Sequence, residues 1–405
     1  MSHLRSAVVR LSNRTMRYAW GSTELIPALR GVAPDGHPQA EVWIGTHPAA
    51  PSMALSPDGA RPLSEVLAAA GSPERLPFLV KLLAAAEPLS LQVHPSSAQA
   101  AAGFAREEAA GIRLESPERC YRDGSHKPEM LVALTPFDLL CGFRDPAAVG
   151  ADLEALNVRR LDDVVAHLSA DDPRVAVRRA WGAVLTRPAD ERVAAAHEVV
   201  AACGAGRGGS AARALVLDLA ACYPDDVGVV AALFLNQVRL PPGRALFVPA
   251  GVVHSYRRGL GLEVMAASDN VLRAGLTPKH VAVAEVLDVV NFEPSPGMVV
   301  PAVPQSPGVH RFRPPAAEFE VWVHDSEAHQ GRPVSRATMP LGPRVVLCCA
   351  GRTVLRAGAE DVTLVPGEAA FLAPHAGPAE IATSGKAFTV GLPVLCETQV
   401  TNGGA

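Results

Sequence analysis

No Cys-x-x-Cys pair occurs in this chain, no uncharged apolar run of about 18 residues, and no excess of basic over acidic residues. Each absence excludes something. Without paired cysteine motifs, a ribbon-type zinc site or a thiol redox pair is not expected. Seven cysteines, an odd number, in a chain too large to need disulfide staples point to a reducing cytoplasm. Without a long apolar run there is no candidate membrane helix. The first twenty residues, MSHLRSAVVRLSNRTMRYAW, hold neither an apolar core nor a small-residue cleavage site, so no signal peptide is expected. A net charge of −4 gives no basic surplus for nucleic acid, and 48% hydrophobic residues exclude a disordered chain.

What the chain does have is turn-formers. The 34 Gly and 36 Pro favour many short strands over a purely helical protein. At 405 residues, two or three domains are expected. Pro77–Leu83 reads as a buried strand containing an unusual Lys81. Ser97 is placed to cap a helix running to about Ala110. From Pro146 to about Asn236, apolar residues recur at three- and four-residue spacing, which predicts an all-helical block. Strands return at Leu240. The Pro-rich stretch after Asn291 reads as a linker or lid, and residues 317–395 as a separate small β domain. The expected fold is mainly β with an all-α insertion. Residues 1–145 and 237–298 would form one domain, 146–236 the helical insertion, and 299–405 a C-terminal β domain.

Two segments carry chemistry. In Pro88–Pro95 (PLSLQVHP), Leu89, Leu91 and Val93 alternate with Ser90, Gln92 and His94, the period-two pattern of a two-faced strand. Gln92 and His94 therefore project to one side. In Gly243-x5-Pro249-x-Gly251-x2-His254, Gly and Pro set a tight turn that delivers His254 at the start of the returning strand. Both segments resemble the metal motifs of the cupins, jelly-roll β barrels in which inward side chains converge on a metal. Here Gln92 stands where His is common, and Arg258 where Asn is usual. With Glu129, these residues supply two imidazoles, a carboxylate and an amide oxygen, a set suited to a borderline divalent metal such as zinc with one position open. The ligand charge of −1 leaves the site net positive, suited to an anionic or enediolate-forming substrate.

The strings PLSLQVHP, HKPEM and SDNVLRAGLTPKH, with YAWG and EVWIGTHP before them, resemble the type I mannose-6-phosphate isomerases (phosphomannose isomerases), in order from about Tyr18 to Asp288. The resemblance implies cupin barrels with a helical domain, one Zn2+ per chain held by Gln92, His94, Glu129 and His254, and an active-site Arg273. It implies interconversion of D-mannose 6-phosphate and D-fructose 6-phosphate, in service of GDP-mannose and glycan synthesis. The reaction moves a proton between C1 and C2 through an enediol(ate), and the residues near the ligands suggest roles. Lys127 or Glu263 could be the base, His126 and Asp269 could assist ring opening, and Ser90, Lys81 and Lys279 could hold the phosphate. The tail matches by texture only, so its β domain is expected to hold no metal. A small-molecule sugar phosphate is the expected partner, without nucleic acid or membrane, and a monomer is the expected state. The competing readings are an iron-dependent cupin oxygenase, which wants a richer His set, a non-catalytic sugar-binding cupin, and an isomerase of another hexose phosphate.

Overall fold

A computed structural model describes residues 7–330, 332, 334–338 and 342–393. The chain divides into two compact units. One comprises residues 15–43 and 81–300, the other residues 1–14, 44–80 and 301–405.

The first unit is built on an antiparallel sheet assembly, with a run of successive helices between Pro146 and Phe234 and single helices elsewhere. The run LVALTPFDLLCGF splits at Thr135-Pro136, as its sequence predicts, into strands Glu129–Ala133 and Phe137–Phe143. The strand His254–Ala266 is long enough to pair twice. Its start faces Gln92 and residues 138–141, and its end faces Glu129–Ala133. The strand expected within Pro88–Pro95 is shorter, Leu91–Val93, and Leu89 donates its N–H to the Tyr256 carbonyl before the ladder begins. The following helix, Ser97–Ala109, is capped by Ser96 and not by Ser97. Ser96 and Gln99 form a reciprocal capping box, with Gln99 three residues on from the cap.

Six α-helices and one short 3-10 helix lie between Pro146 and Ala231. Helix Pro173–Leu185 buries Val177, Ala180, Trp181 and Val184, spaced as one helical face requires. Trp181 is fully buried and meets Phe143 edge-on, with ring centroids 5.4 Å apart, which ties the helices to the sheet. Trp181→Ala is expected to destabilise by about 3–5 kcal/mol, read as a lowered denaturant midpoint. The helical block ends earlier than its composition suggests. Leu235–Leu240 is already a strand, pairing with Phe137–Phe143, so residues 235 and 236 belong to the sheet.

The second unit holds a nine-stranded and a four-stranded sheet. Its membership corrects two expectations. Strand Val8–Ser12 pairs with Ala369–Leu372 and with Met53–Ser56, and residues 7–14 and 44–80 join the C-terminal unit. The Pro-rich stretch from 291 to about 315 is neither linker nor lid. It forms strand Met298–Val300 in the first unit and strands Val303–Ser306 and Val309–Phe312 in the second. Pro304 is tolerated because Val303–Ser306 is the edge strand of its sheet. Among the described residues, no helix is long and apolar enough to cross a membrane.

Candidate metal centre

The site grows from one pleat. Gln92 is the register partner of both His254 and Arg273, so its strand lies between theirs. Directly opposed residues project to the same face, as do residues two apart. Ser90, Gln92, His94, His254 and Arg273 therefore share a face. Glu129 enters from the neighbouring strand, opposite Val248 and Met265.

The ligand atoms of His94, Glu129 and His254 all lie within 4.8 Å of one another, and all three residues are buried. His94 Nε2 is 3.1 Å from Glu129 Oε1, and His254 Nε2 is 3.4 Å from Oε2. Both imidazoles are oriented from behind. His94 Nδ1 meets the Asn270 carbonyl at 2.7 Å and His254 Nδ1 the Val252 carbonyl at 3.1 Å, which places the N–H on Nδ1 and leaves Nε2 as the free lone pair. His94 Nε2 is buried without a hydrogen-bond partner. An unsatisfied nitrogen at that depth is costly unless something binds it. Burial pushes the His94 imidazole down to about 4, against the pull of Glu129, so it is neutral near pH 7. Burial alone would raise the Glu129 carboxyl, but the Lys127 ammonium, 2.9 Å from Oε1, leads the groups that hold it well below the carboxylate range. A neutral imidazole at His94 and an ionised carboxylate at Glu129 are the protonation states in which these groups bind a divalent metal.

Around this group the candidates sort differently. Lys127 and Glu263 are both buried. Glu263 is raised, chiefly by burial. Lys81, expected at a phosphate, is instead enclosed between carboxylates, with Nζ 3.0 Å from Glu263 and 3.4 Å from Glu41. Burial opposes its charge, but Glu263 and Glu41 together raise its pKa above the usual lysine value. Its inward direction fits the strand pattern, while its charge is already matched. Ser90 is half-buried one pleat before Gln92. Lys279 is exposed, and its pKa is lowered by partial burial and by the nearby charges of Arg273 and Arg122. His126 is half-buried, and Asp269 is exposed with its amide N–H donated to Asp123.

Three residues outside the sequence-derived set belong to this region: Arg122, Asp123 and Asn270. The Asn270 amide accepts from the Arg122 N–H at 2.7 Å and donates to the carbonyls of Asp123 and Ser125 at 2.8 Å each. It thereby fixes the loop leading to Glu129 while its own carbonyl orients His94. The only signal available was the fixed string Ser268-Asp269-Asn270. Asn270→Ala is expected to weaken zinc binding about 10–100-fold, measured by competition with a chromogenic chelator, with activity restored by excess zinc.

A family profile described as phosphomannose isomerase type I, catalytic domain, matches residues 8–146. The chain is 35% identical over 390 residues to the mannose-6-phosphate isomerase of Salmonella typhimurium, covering 93% of this chain and 97% of that one. It is 31% identical over 364 residues to that of Homo sapiens, covering 78% and 81%. Among solved structures, a mannose 6-phosphate isomerase bound with zinc and yttrium aligns with a TM-score of 0.85 at 32% identity, covering 96% of this chain and all of that one. The Salmonella typhimurium enzyme bound to fructose 6-phosphate and zinc aligns equally well, at 0.85 and 32%.

Proposed function

The chain belongs to the mannose-6-phosphate isomerases, and from that membership we propose that it is a zinc enzyme interconverting D-mannose 6-phosphate and D-fructose 6-phosphate. The observation that carries the reading is the buried group His94, Glu129 and His254, with both Nε2 atoms presented by carbonyl bonds to Nδ1. Gln92, in register with His254, completes the donor set. We read the sheets around it as a cupin barrel, and the helices from Pro146 as an insertion in that catalytic unit.

Bound zinc supplies a Lewis acid for the oxygens on C1 and C2. The protein supplies the rest. Arg273, on the face shared with Gln92, places a fixed positive charge where the enediolate develops. Lys127 and Glu263 are the two buried groups able to carry the proton between C1 and C2. His126 and Asp269 flank the loop where the ring would open. Ser90 and Lys279 suit the phosphate, with Arg122 adding a third cation beside Arg273 and Lys279. Cytoplasmic residence rests on the cysteine usage, and supply of mannose for GDP-mannose and glycan synthesis on the family alone.

A coupled assay of mannose 6-phosphate conversion, before and after chelation and with zinc restored, tests the whole reading. Activity is expected to vanish with chelator and return with zinc. Activity indifferent to chelation would discard the metal site. No activity under any metal would leave a sugar-binding protein without catalysis.

A further inference from the structure

The tripeptide Glu-Val-Trp occurs twice, at 41–43 and at 320–322. The two copies, one in each unit, fold into the same device. Trp43 Nε1 donates to Glu41 and Trp322 Nε1 to Glu320, each at 2.7 Å. A cation lies over each ring: Lys81 at 5.2 Å from Trp43, and Arg311 at 5.5 Å from Trp322. Each cation also approaches the glutamate of its own copy, at 3.4 Å for Lys81 and 3.9 Å for Arg311. In the catalytic unit this cradle borders the candidate metal site through Glu263.

The second copy differs in its charge balance. Lys81 has two carboxylates within 3.4 Å, whereas Arg311 approaches Glu320 at 3.9 Å and a second arginine, Arg344, stands on the same sheet. Arg344 is 1% exposed, and among the described residues no carboxylate lies within ion-pair distance of it. Its Nε and Nη2 donate to the carbonyls of Gly342 and Gly377, at 2.9 and 3.2 Å, and its Nη1 is buried with no partner. Burial pushes this guanidinium down to about 10. Gly391 is the register partner of both Arg344 and Glu320, and a Cβ on it would come within 3.1 Å of Arg344 Cγ. Arg344 and Glu320 therefore project to one face of the nine-stranded sheet, on either side of a residue with no side chain. That face packs its apolar residues on the four-stranded sheet. Glu320 Oε2 and Arg311 Nε are also buried without hydrogen-bond partners. Buried polar atoms without hydrogen-bond partners are costly, and these three, two on arginines and one a carboxylate oxygen that meets Arg311 only at 3.9 Å, suit a bound anion that can also donate a hydrogen bond.

We propose that the C-terminal unit holds a second ligand site for a small hydroxylated anion. Arg344, with Arg311, takes its phosphate or carboxylate group, and Glu320 takes a hydroxyl. The site is separate from the isomerase reading and does not depend on it.

Calorimetric titration of the zinc-loaded full chain tests it, with inorganic phosphate, glucose 6-phosphate and gluconate as probes. A binding event is expected that persists in Arg273→Ala and is weakened at least tenfold in Arg344→Met. Arg344→Met should keep the isomerase kcat/KM, which certifies its fold. Glu320→Gln removes a negative charge beside the anion and should tighten inorganic phosphate several-fold, so the proposal stays testable if Arg344→Met does not fold. Tighter binding of glucose 6-phosphate than of gluconate would identify a phosphate monoester, and the reverse order a hydroxy acid. No binding that survives Arg273→Ala, or binding unchanged in both Arg344→Met and Glu320→Gln, overturns the proposal.

Discussion

In the His254→Ala variant, bound zinc and isomerase turnover are expected to fall together. His254 is one of the three buried groups of the His-Glu-His cluster, and on the proposed reading its removal leaves His94 and Glu129 to hold the metal with Gln92. A partner that merely orients a ligand costs 10–100-fold in metal affinity, so losing a ligand should cost more than about 100-fold. The metal's charge stabilisation is worth several kcal/mol. At about 1.4 kcal/mol per factor of ten, turnover should drop by about a thousandfold or more. Metal content after dialysis, read by elemental analysis beside the rate, decides the matter. Zinc retained at one per chain with turnover lost would strike His254 from the ligand set and give it a proton-transfer role instead. The comparison needs a folded variant, and the sheet contacts of His254 predict one. Its backbone pairs with Gln92 and Cys141 whatever its side chain, so the ladder survives the substitution.

The shared face of the proposed ligands was legible because its signals are local. Gln92 and His94 declare a shared face by sitting two apart in an alternating strand, and His254 follows a Gly-Pro turn that fixes where its strand begins. Groups whose meaning is non-local were misread or missed. The direction of Lys81 follows from strand alternation, but its partners Glu41 and Glu263 lie 40 and 182 residues away, and no local pattern shows that its charge is spent. Asn270 acts through bonds to Arg122, Asp123 and Ser125, which only the folded loop assembles. The unit boundary failed for the same reason. Val8–Ser12 is an ordinary short strand until Ala369–Leu372 pairs with it across most of the chain. Between residues 291 and 315, prolines flanking short strands, and Pro304 within an edge strand, imitated a linker, since both contexts tolerate a missing N–H donor.

Arg273 separates binding of the metal from use of its field. Its strand, Leu272–Gly275, puts it opposite Gln92 and outside the His94, Glu129 and His254 group. Among the described residues no carboxylate pairs with it. Partial burial and the nearby charge of Arg122 lower its pKa, which for a guanidinium still means full charge at neutral pH. A cation held half-buried beside another cation is destabilised in the free protein and gains most when negative charge develops in front of it. Arg273→Ala is therefore expected to keep zinc at one per chain while turnover falls by about 10²–10³, the loss that follows removal of one preorganised charge donor. Because the enediolate carries negative charge that the open-chain sugar lacks, kcat should fall more than KM rises. If Arg273 served only the phosphate, which is charged throughout, KM would rise and kcat would hold. Arg273→Lys should recover part of the rate, since it restores the charge without the planar fork. A turnover near wild type in Arg273→Ala would move the electrostatic role to Lys127, the other buried cation 2.9 Å from a ligand oxygen.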